Sequence, residues 1–519
     1  MSAAPRHPLE TPRRLSRSLL WRLQRRFFER RGARAWSDGV VPHWITSNPY
    51  LAEAYGRVLL GFVRDWRAAI DPARPLYIIE LGAGSGRLAF HVLRHLERLG
   101  AGPALRGLDL RYVLTDFAEA NLAAYRAHPA LAPWLASGRL DLARFDAEHD
   151  DAITLERARV TLAPGTAQNP IAVLANYVFD GLPLDCFSVA DGRLHEWLVS
   201  LGSEQPEADL EDPDILARAR LAYEQRALDP GAYYGDPALD EILEEHRERL
   251  PGTAFTFPAA SLQCLARLSA LAGGRMLVLS TDKGEVREEA LRGQVGPDIT
   301  VHGSFSIAVN YHAIARFIAR GGGEALVPSA LPHSVATCAF LLGAPPDGYG
   351  ETRQAYAEAI DVRSPDDYCS LKQGMERAYA ALALPQLIAY LRFTGCDPKI
   401  LAECLPALLP LARCAAAPER AELLRVLSRA WDAYFHIGEA QDLPFALGML
   451  ASALDAWPEA IGFFEGSLRW YGADAGTLFN LAMCHRQLGQ DAAARARLDE
   501  ALAVDPACEP ALALRAELR

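Results

Sequence analysis

The chain has 519 residues, half of them apolar, so it is long enough for two or three domains that each bury a core. Its net charge of −12 argues against general nucleic-acid binding, which needs a basic surface. The nine cysteines show no zinc-ligand spacing, and no apolar run is long enough for a membrane span. These features predict a reduced, cytoplasmic protein.

The N-terminal segment, residues 1–36, carries ten arginines against two glutamates and has its apolar residues in amphipathic order. We expect a basic helical segment of a bacterial protein, packed on its own domain or touching a partner. A transit peptide with the same arginine-rich, acid-poor composition is the alternative.

Residues 37–348 alternate short apolar runs with amphipathic helical stretches. The apolar runs are "LYIIEL", "LRYVLTD", "GRLDLARFD", "IAVLAN", "RMLVLST" and "TCAFLLGA". This alternation predicts a Rossmann-like α/β domain, with a mostly parallel sheet and helices on both faces. An insertion at about residues 184–270 opens with a hairpin that turns at Asp191-Gly192.

Residues 349–519 carry helical patterns and contain an internal repeat of 34 residues. Leu447, Gly448, Ala460, Phe464 and Ser467 recur as Leu481, Ala482, Ala494, Leu498 and Ala501. This spacing is that of a tetratricopeptide repeat, in which helix pairs stack on one another. A helical bundle that extends the first domain is the alternative.

A glycine-rich turn directly follows the first predicted strand and places Gly82, Gly84 and Gly86 in a G-x-G-x-G pattern. Dinucleotide-binding proteins use a related turn, so the glycines alone do not identify the ligand. Glu80, two residues before the first glycine, would repel a diphosphate. A carboxylate there favours a cationic ligand group, such as the amino group of S-adenosylmethionine.

Two more acids lie at the next two strand ends. Asp116, followed by Phe117, can accept both hydroxyls of a ribose, and Asp146 can accept from an adenine amino group. Capping of a helix is the alternative for each acid. Three acids at successive strand ends favour a ligand site.

The segment after the fourth strand, "ANYVFDGLPLDCF" at residues 175–187, is the most specific one. It resembles the "ANEFFDALP" signature of the MidA/NDUFAF7-type family, protein arginine methyltransferase-type members of the class I S-adenosylmethionine-dependent methyltransferases. Other segments between residues 36 and 345 are similar to this family in the same order, among them "HWITSNPYLAEAYG", "GRMLVLSTDKG" and "AVNYHAIARFI".

The resemblance implies a cofactor that lies across the strand ends. Glu80 would hold its amino end, Gly82 to Gly86 would line its methionine part, Asp116 would bind ribose, and Asp146 would bind adenine. We assign Phe117 to the same cofactor site.

Four departures from the family pattern affect the expected acceptor pocket. Tyr177 replaces a glutamate, the Ser47–Tyr50 region lacks another glutamate, Lys283 replaces a tyrosine, and Asn310 replaces an aspartate. Because methyl transfer to arginine needs acids that grip the guanidinium, these changes affect the acceptor more than the cofactor.

Asn176 and Asp180 are the predicted catalytic residues. Asn176 could orient an acceptor nitrogen through its side-chain carbonyl, and Asp180 could act as a base or anchor a cationic acceptor. Alternatively, Asn176 caps the next helix and Asp180 pairs with an arginine. Glu196, Trp197 and His302 are further pocket candidates.

The sequence therefore predicts a methyltransferase whose helical repeats recruit a protein or peptide substrate, with arginine as the acceptor by family resemblance. Methylation of a small molecule or biosynthetic peptide, with the repeats serving homodimerisation, is a second hypothesis. A non-catalytic assembly or scaffold factor is a third. Glu80 disfavours a dehydrogenase.

Overall fold

The computed structural model describes residues 7–100, 104–229, 231, 233–301 and 304–518. In these ranges strands occur only up to Leu342, and the chain beyond is helical. The chain divides into two units, Met1–Tyr368 and Cys369–Arg519. An α/β domain followed by an all-helical region confirms the predicted fold class.

The strands are β1 His7–Arg14, β2 Leu76–Glu80, β3 Leu110–Asp116, β4 Leu140–Arg144, β5 Ile153–Thr154, β6 Thr161–Leu162, β7 Ile171–Leu174, β8 Asp185–Ala190, β9 Arg193–Ser203, β10 Ala219–Ala227, β11 Ala254–Phe257, β12 Met276–Asp282, β13 Gly284–Glu285, β14 Ile299–Val301, β15 Phe305–Ile307, β16 Val309–Asn310, β17 Glu324–Leu326 and β18 Ala336–Leu342.

The helices are α1 Leu19–Arg31, α2 Arg34–Ser37, α3 Pro49–Trp66, α4 Arg87–Gly100, α5 Glu119–Ala127, α6 Ala132–Ser137, α7 Pro237–Arg249, α8 Ala259–Leu271, α9 Glu288–Leu291, α10 Tyr311–Arg320, α11 Gly350–Tyr356, α12 Pro365–Glu376, α13 Leu384–Phe393, α14 Pro398–Arg413, α15 Ala417–Asp432, α16 Leu443–Ala453, α17 Trp457–Tyr471, α18 Ala475–Gln487, α19 Asp491–Val504 and α20 Glu509–Glu517. A short 3₁₀ helix spans Phe179–Gly181.

The main sheet of the first unit has seven strands in the order β17-β18-β12-β7-β2-β3-β4. Strands β12, β7, β2, β3 and β4 are parallel, and β18 runs antiparallel to both of its neighbours. Every residue of β2, β7, β12 and β18 is buried, as expected for a sheet covered on both faces. The strand order reverses between β2 and β7, and open α/β sheets bind ligands at the carboxyl ends of the strands at such a point.

A second sheet contains the predicted hairpin, β8 and β9, which turns at Asp191-Gly192. Strands β1 and β10 also pair with β9, and β11 pairs with β8. Helix α7, which is rich in charged residues, lies later in the insertion.

The N-terminal segment differs from the helical prediction, because its first described residues form the edge strand β1. Pro8 and Pro12 explain the difference: proline disrupts a helix interior but is tolerated on an edge strand, and the pairing of β1 is irregular here. The amphipathic part does form a helix, α1. Glu10 anchors its first turn by accepting hydrogen bonds from Ser18 Oγ and from Leu19 N, the latter at 2.9 Å.

In the second unit, both copies of the 34-residue pattern occupy equivalent places. Positions from the first copy lie on α16 and α17, those from the second lie on α18 and α19, and all ten residues are buried. Gly448 lies where α16 crosses α17, since a Cβ on it would stand 2.5 Å from Phe464. Assignment of these helix pairs to the tetratricopeptide class stays a prediction.

Gly448→Ala tests this helix crossing. The added methyl group would force α16 and α17 apart, so we expect a loss of about 1–3 kcal/mol in the free energy of unfolding. Gly462→Ala is the matched control, because this α17 glycine has no neighbouring atom within 4 Å of an added Cβ. Alanine favours a helix by roughly 0.8–1 kcal/mol over glycine. Urea denaturation followed by circular dichroism should move the two variants in opposite directions, and equal behaviour would contradict a close crossing.

Among the described residues, no helix has both the length and the apolar composition that a membrane crossing requires.

Candidate functional site

The glycine turn between β2 and α4 adopts a backbone that favours glycine at all three positions. The φ angles of Gly82, Gly84 and Gly86 are 51°, 59° and 77°. A Cβ on Gly84 would stand 2.7 Å from the ring of Trp36, and one on Gly86 would stand 3.3 Å from Tyr125. The turn is therefore shaped for close approach of other groups.

Glu80 ends β2 and is only 4% exposed. Its Oε2 accepts a hydrogen bond of 2.5 Å from Tyr112 Oη. Burial raises the pKa of Glu80 to about 8, although the Tyr112 hydrogen bond opposes the shift. Glu80 precedes the glycine turn by two residues, and the raised pKa favours the protonated form of its carboxyl group.

Asp116 ends β3 and binds the glycine turn and α5 together. Its carboxylate accepts from the backbone nitrogens of Gly84 and Ala118, from Asn121 Nδ2 and from Tyr125 Oη, at 2.9–3.3 Å. Burial raises the pKa of Asp116, and these hydrogen bonds oppose that shift. Oδ1 receives only the Ala118 bond among these contacts, so it can accept one more donor.

A cavity lies at the carboxyl edge of the sheet, and four predicted site residues, Gly82, Asp116, Phe117 and Asp146, contribute to its wall. We call it the cofactor cavity. Its other lining residues come from α1 and α2 (Trp21, Gln24, Arg25, Phe28 and Trp36), from α5 (Asn121) and from the segments that follow β4 and β7 (Phe145, Ala147, Glu148, Tyr177, Val178, Gly181, Leu182 and Pro183).

The cavity volume is about 120 Å³, below the roughly 300–1,000 Å³ of typical small-molecule sites. Part of its wall has to move to admit a whole nucleoside cofactor. The short helix α2 forms part of this wall and is flanked by Gly32 and Gly39, whose φ angles are 50° and 71°. It carries Trp36, which stacks on Phe28 with ring centroids 5.8 Å apart and covers Gly84.

Asp146 is engaged by α1 in a way that the sequence did not indicate. Arg25 Nη1 and Nη2 donate to the two carboxylate oxygens at 3.1 and 2.8 Å, and Glu148 N donates at 3.0 Å. Burial alone would raise the pKa of Asp146, but the hydrogen bonds and charge of Arg25 outweigh it and hold the pKa below its usual value. The guanidinium also lies over the Phe117 ring, 4.5 Å from its centroid.

Asn176 joins three segments at the end of β7. Its Oδ1 accepts from Tyr55 Oη at 2.6 Å and from Thr281 N at 3.0 Å, and its Nδ2 donates to Thr46 O at 2.9 Å. Both lone pairs of the carbonyl oxygen are therefore used. Asn176 positions the strand ends in this structure, and its carbonyl is not open to an acceptor nitrogen as the sequence had suggested.

Asp180 lies in the 3₁₀ helix whose last residue, Gly181, lines the cofactor cavity, and it contacts Asp282 at the end of β12. Asp180 N donates to Asp282 Oδ2 at 3.2 Å, and the two carboxyl groups hydrogen-bond each other. Burial raises the pKa of Asp180 to about 6, opposed by the charge of Lys283. Burial and the charge of Asp180 raise the pKa of Asp282 well above its usual range. The pair therefore binds a proton more tightly than an exposed carboxylate does.

The remaining candidates lie apart from this arrangement. Glu196 is 1% exposed and binds Arg226 and Tyr233 Oη rather than lining the cofactor cavity. Asn310 caps α10 by accepting from Ala313 N at 2.9 Å. His302 lies outside the described residues. Of the four departures from the family pattern, only Tyr177 lines the cofactor cavity; its φ of 51° is a strained backbone for a residue other than glycine.

Sequence reasoning missed the contribution of α1 and α2, which supply one wall of the cavity. The amphipathic order of the N-terminal segment showed that one face would be buried. It gave no information about which surface that face would cover.

A family model described as "Putative S-adenosyl-L-methionine-dependent methyltransferase" matches residues 60–290, which is less than half of the chain. The match includes the glycine turn and the strand ends around the cofactor cavity. Over this region the chain is similar to methyltransferases that use S-adenosylmethionine as their cofactor. No curated protein matches the sequence.

Three solved structures from Burkholderia thailandensis are similar to the chain. A protein bound to S-adenosyl-homocysteine is 17% identical, with a TM-score of 0.36, and the match covers 55% of this chain and 63% of that one. A second protein, described as uncharacterized, is 15% identical, with a TM-score of 0.41, and the match covers 66% of this chain and 90% of that one. A 1,6-didemethyltoxoflavin-N1-methyltransferase is 11% identical, with a TM-score of 0.29 and coverage of 66% and 98%. The chain thus spans less than two thirds of the length of the first of these structures.

Proposed function

We propose that the protein transfers the methyl group of S-adenosylmethionine to a nitrogen of a protein or peptide side chain, with arginine as the acceptor that the family resemblance implies. The observation that carries the proposal is the carboxyl pair Asp180 and Asp282 beside the cofactor cavity. A guanidinium is recognised most strongly by carboxylates, which accept its N–H groups in pairs. Three of the family acids are lost elsewhere, but this pair keeps two carboxyl groups at the proposed acceptor end.

In this proposal the bound cofactor supplies an electrophilic methyl group, and the chain supplies orientation, exclusion of water and a base. Asp180, with a pKa of about 6, is ionised near neutral pH and can take the proton that the acceptor nitrogen releases. Asp282 stabilises the same proton by hydrogen bonding. Asn176 keeps the segment at Thr46 in place over the strand ends and so acts as a positioning residue.

The cofactor residues are proposed as follows. Gly82, Gly84 and Gly86 provide close backbone approach for the methionine part, and Asp116 Oδ1 accepts from the ribose. Phe117 and Asp146 line the adenine end, and Glu80 lies beneath the amino end. Two features of the structure fit a nucleoside here: an apolar cavity between Phe117 and Phe145, and buried carboxamide oxygens without partners in its wall.

We also propose that the helical unit recruits the polypeptide that carries the acceptor. Stacked helix pairs form extended surfaces that suit peptides better than metabolites. The repeat positions that are buried in α16–α19 support a stacked arrangement of this type.

Glu80 provides a test of the cofactor orientation. Since its pKa is about 8 in the free protein, pairing with the cationic amino group of S-adenosylhomocysteine should lower that pKa and release a proton at pH 7. Calorimetric titrations in phosphate and in Tris should therefore give different apparent binding enthalpies, because Tris takes up the proton with a large heat. Glu80→Gln should remove the buffer dependence and weaken binding. Equal enthalpies in both buffers with the wild-type protein would place the amino group elsewhere.

The acceptor class is tested by incubating the protein with tritiated S-adenosylmethionine and a bacterial cell extract. We expect label in acid-precipitable protein that hydrolysis releases as methylarginine. Label in the acid-soluble fraction would instead identify a small-molecule acceptor. Binding of the cofactor without any transfer would favour the scaffold hypothesis.

A further inference from the structure

Helix α1 is firmly held in the first unit, and one of its faces lines the cofactor cavity. Leu20, Leu23 and Phe27 are at most 2% exposed, and Glu10 anchors the first turn. Gln24 projects from the same helix into the cavity wall and is 6% exposed. Its Nε2 lies 3.9 Å from the position of a Cβ on Gly181, so the side-chain amide stands beside the 3₁₀ helix Phe179–Gly181.

The carbonyl oxygen of Gln24 has no hydrogen-bond partner. Among the described residues, the buried carboxamide oxygens that lack a partner are Gln24 Oε1 and Asn121 Oδ1, and both residues line the cofactor cavity. A buried acceptor without a donor costs about 1–3 kcal/mol. An amide in this position lowers stability unless a ligand supplies the missing donor.

The carboxylate that the sequence assigns to the adenine end is already partly engaged, so it can supply only part of the recognition of the base. Asp146 receives both guanidinium nitrogens of Arg25 and the Glu148 amide. Asp146 Oδ2 receives only Arg25 Nη2 among these contacts, so Asp146 can offer a purine amino group one more acceptor position but no donor for a ring nitrogen. Glutamine forms paired hydrogen bonds with adenine, since its oxygen accepts from the exocyclic amine while its nitrogen donates to a ring nitrogen.

We infer that the side-chain amide of Gln24 recognises the adenine edge of the cofactor, a role that rests on the proposed placement of the nucleoside in this cavity. The N-terminal helix is then part of the cofactor site and sets its base specificity. Arg25 covers the Phe117 end, and Gln24 supplies the hydrogen bonds that distinguish adenine from other purines.

Gln24→Leu tests this inference because it keeps the size of the side chain and removes both hydrogen-bonding groups. The midpoint of thermal unfolding without ligand should rise by roughly 2 °C, since an unpaired buried amide is gone. The Kd for S-adenosylhomocysteine should rise by about 10-fold. A side chain with only a structural role would not strengthen the free protein while weakening the complex.

A second ligand separates base recognition from general binding. S-inosylhomocysteine carries an oxygen in place of the exocyclic amine, so the wild-type protein should bind it at least about 10-fold more weakly than S-adenosylhomocysteine. Gln24→Leu should bind both ligands within about twofold of each other. Gln168→Leu, at an exposed position, is the matched control and should behave as the wild type in every measurement.

The outcomes distinguish the inference from the proposed function. If the wild-type protein binds neither ligand in isothermal titration calorimetry, the cofactor placement fails and the inference fails with it. If the wild type binds S-adenosylhomocysteine and Gln24→Leu keeps both the affinity and the preference for adenine, the cofactor placement stands and the role of Gln24 is overturned.

Discussion

Asp180→Asn is expected to lower kcat/KM for methyl transfer by about 10²–10⁴-fold, the range that a general base contributes. An amide in this position cannot take the acceptor proton and cannot pair with a guanidinium. The amide can still hydrogen-bond Asp282, so the fold should persist. The Kd for S-adenosylhomocysteine should stay within about twofold, because Asp180 lies at the acceptor end and not among the cofactor-lining residues.

The pH dependence gives an independent measure of the same residue. The wild-type rate should rise as the pH increases through about 6, where Asp180 loses its proton. The rate of Asp180→Asn should not show this rise with pH. Asp151→Asn, at an exposed carboxylate, is the control and should keep both the rate and the profile. A variant at Asp180 that retains wild-type kcat/KM would exclude a role for it in the reaction.

The carboxyl pair also makes a prediction about stability. The folded protein raises the pKa values of Asp180 and Asp282 above those of the unfolded chain, so it favours the protonated forms. The stabilisation is complete below about pH 4, the unfolded value, and is lost as the pH rises through the folded values. The free energy of unfolding should therefore decrease from pH 5 to pH 8 in the wild type, and the decrease should be smaller in Asp180→Asn.

The local sequence pattern was sufficient to predict the fold class and the edge of the sheet at which the candidate site lies. Continuous apolar runs marked the buried parallel strands, and the acids that followed them, Glu80, Asp116 and Asp146, do lie near one strand edge. The carboxyl ends of parallel strands meet in space, so their order along the chain was enough to bring these residues together. The 34-residue spacing placed equivalent side chains in consecutive helix pairs for the same reason.

Side-chain contacts between distant segments could not be predicted from the local sequence pattern. Arg25 and Asp146 are 121 residues apart, and no periodicity relates them. The engagement of Asn176 by Tyr55 and Thr281 likewise depends on how α3 packs on the sheet. Polar residues of these types can bind a ligand or their own fold, and only the three-dimensional arrangement decides between the two.

Gly84→Ala should raise the Kd for S-adenosylhomocysteine by about 100-fold, which corresponds to about 2.7 kcal/mol. The φ of 59° costs a residue with a Cβ about 1–2 kcal/mol of stability, in the free protein and in the complex alike. The loss of affinity comes from the methyl group, which would stand 2.7 Å from Trp36 on the surface proposed to face the cofactor. Fluorescence or calorimetric titration with S-adenosylhomocysteine measures the loss.

Gly138→Ala separates backbone strain from the loss of space. Gly138 has a φ of 75°, close to that of Gly84 and Gly86, but no atom lies within 4 Å of an added Cβ. It should lose about 1 kcal/mol of stability and bind the ligand as the wild type does. Adding Trp36→Ala to Gly84→Ala removes the overlap with the indole ring, so it should restore stability. If affinity stays low in the double variant, the methyl group occupies space that the ligand needs; if affinity also recovers, Trp36 alone limited access and the turn itself does not contact the cofactor.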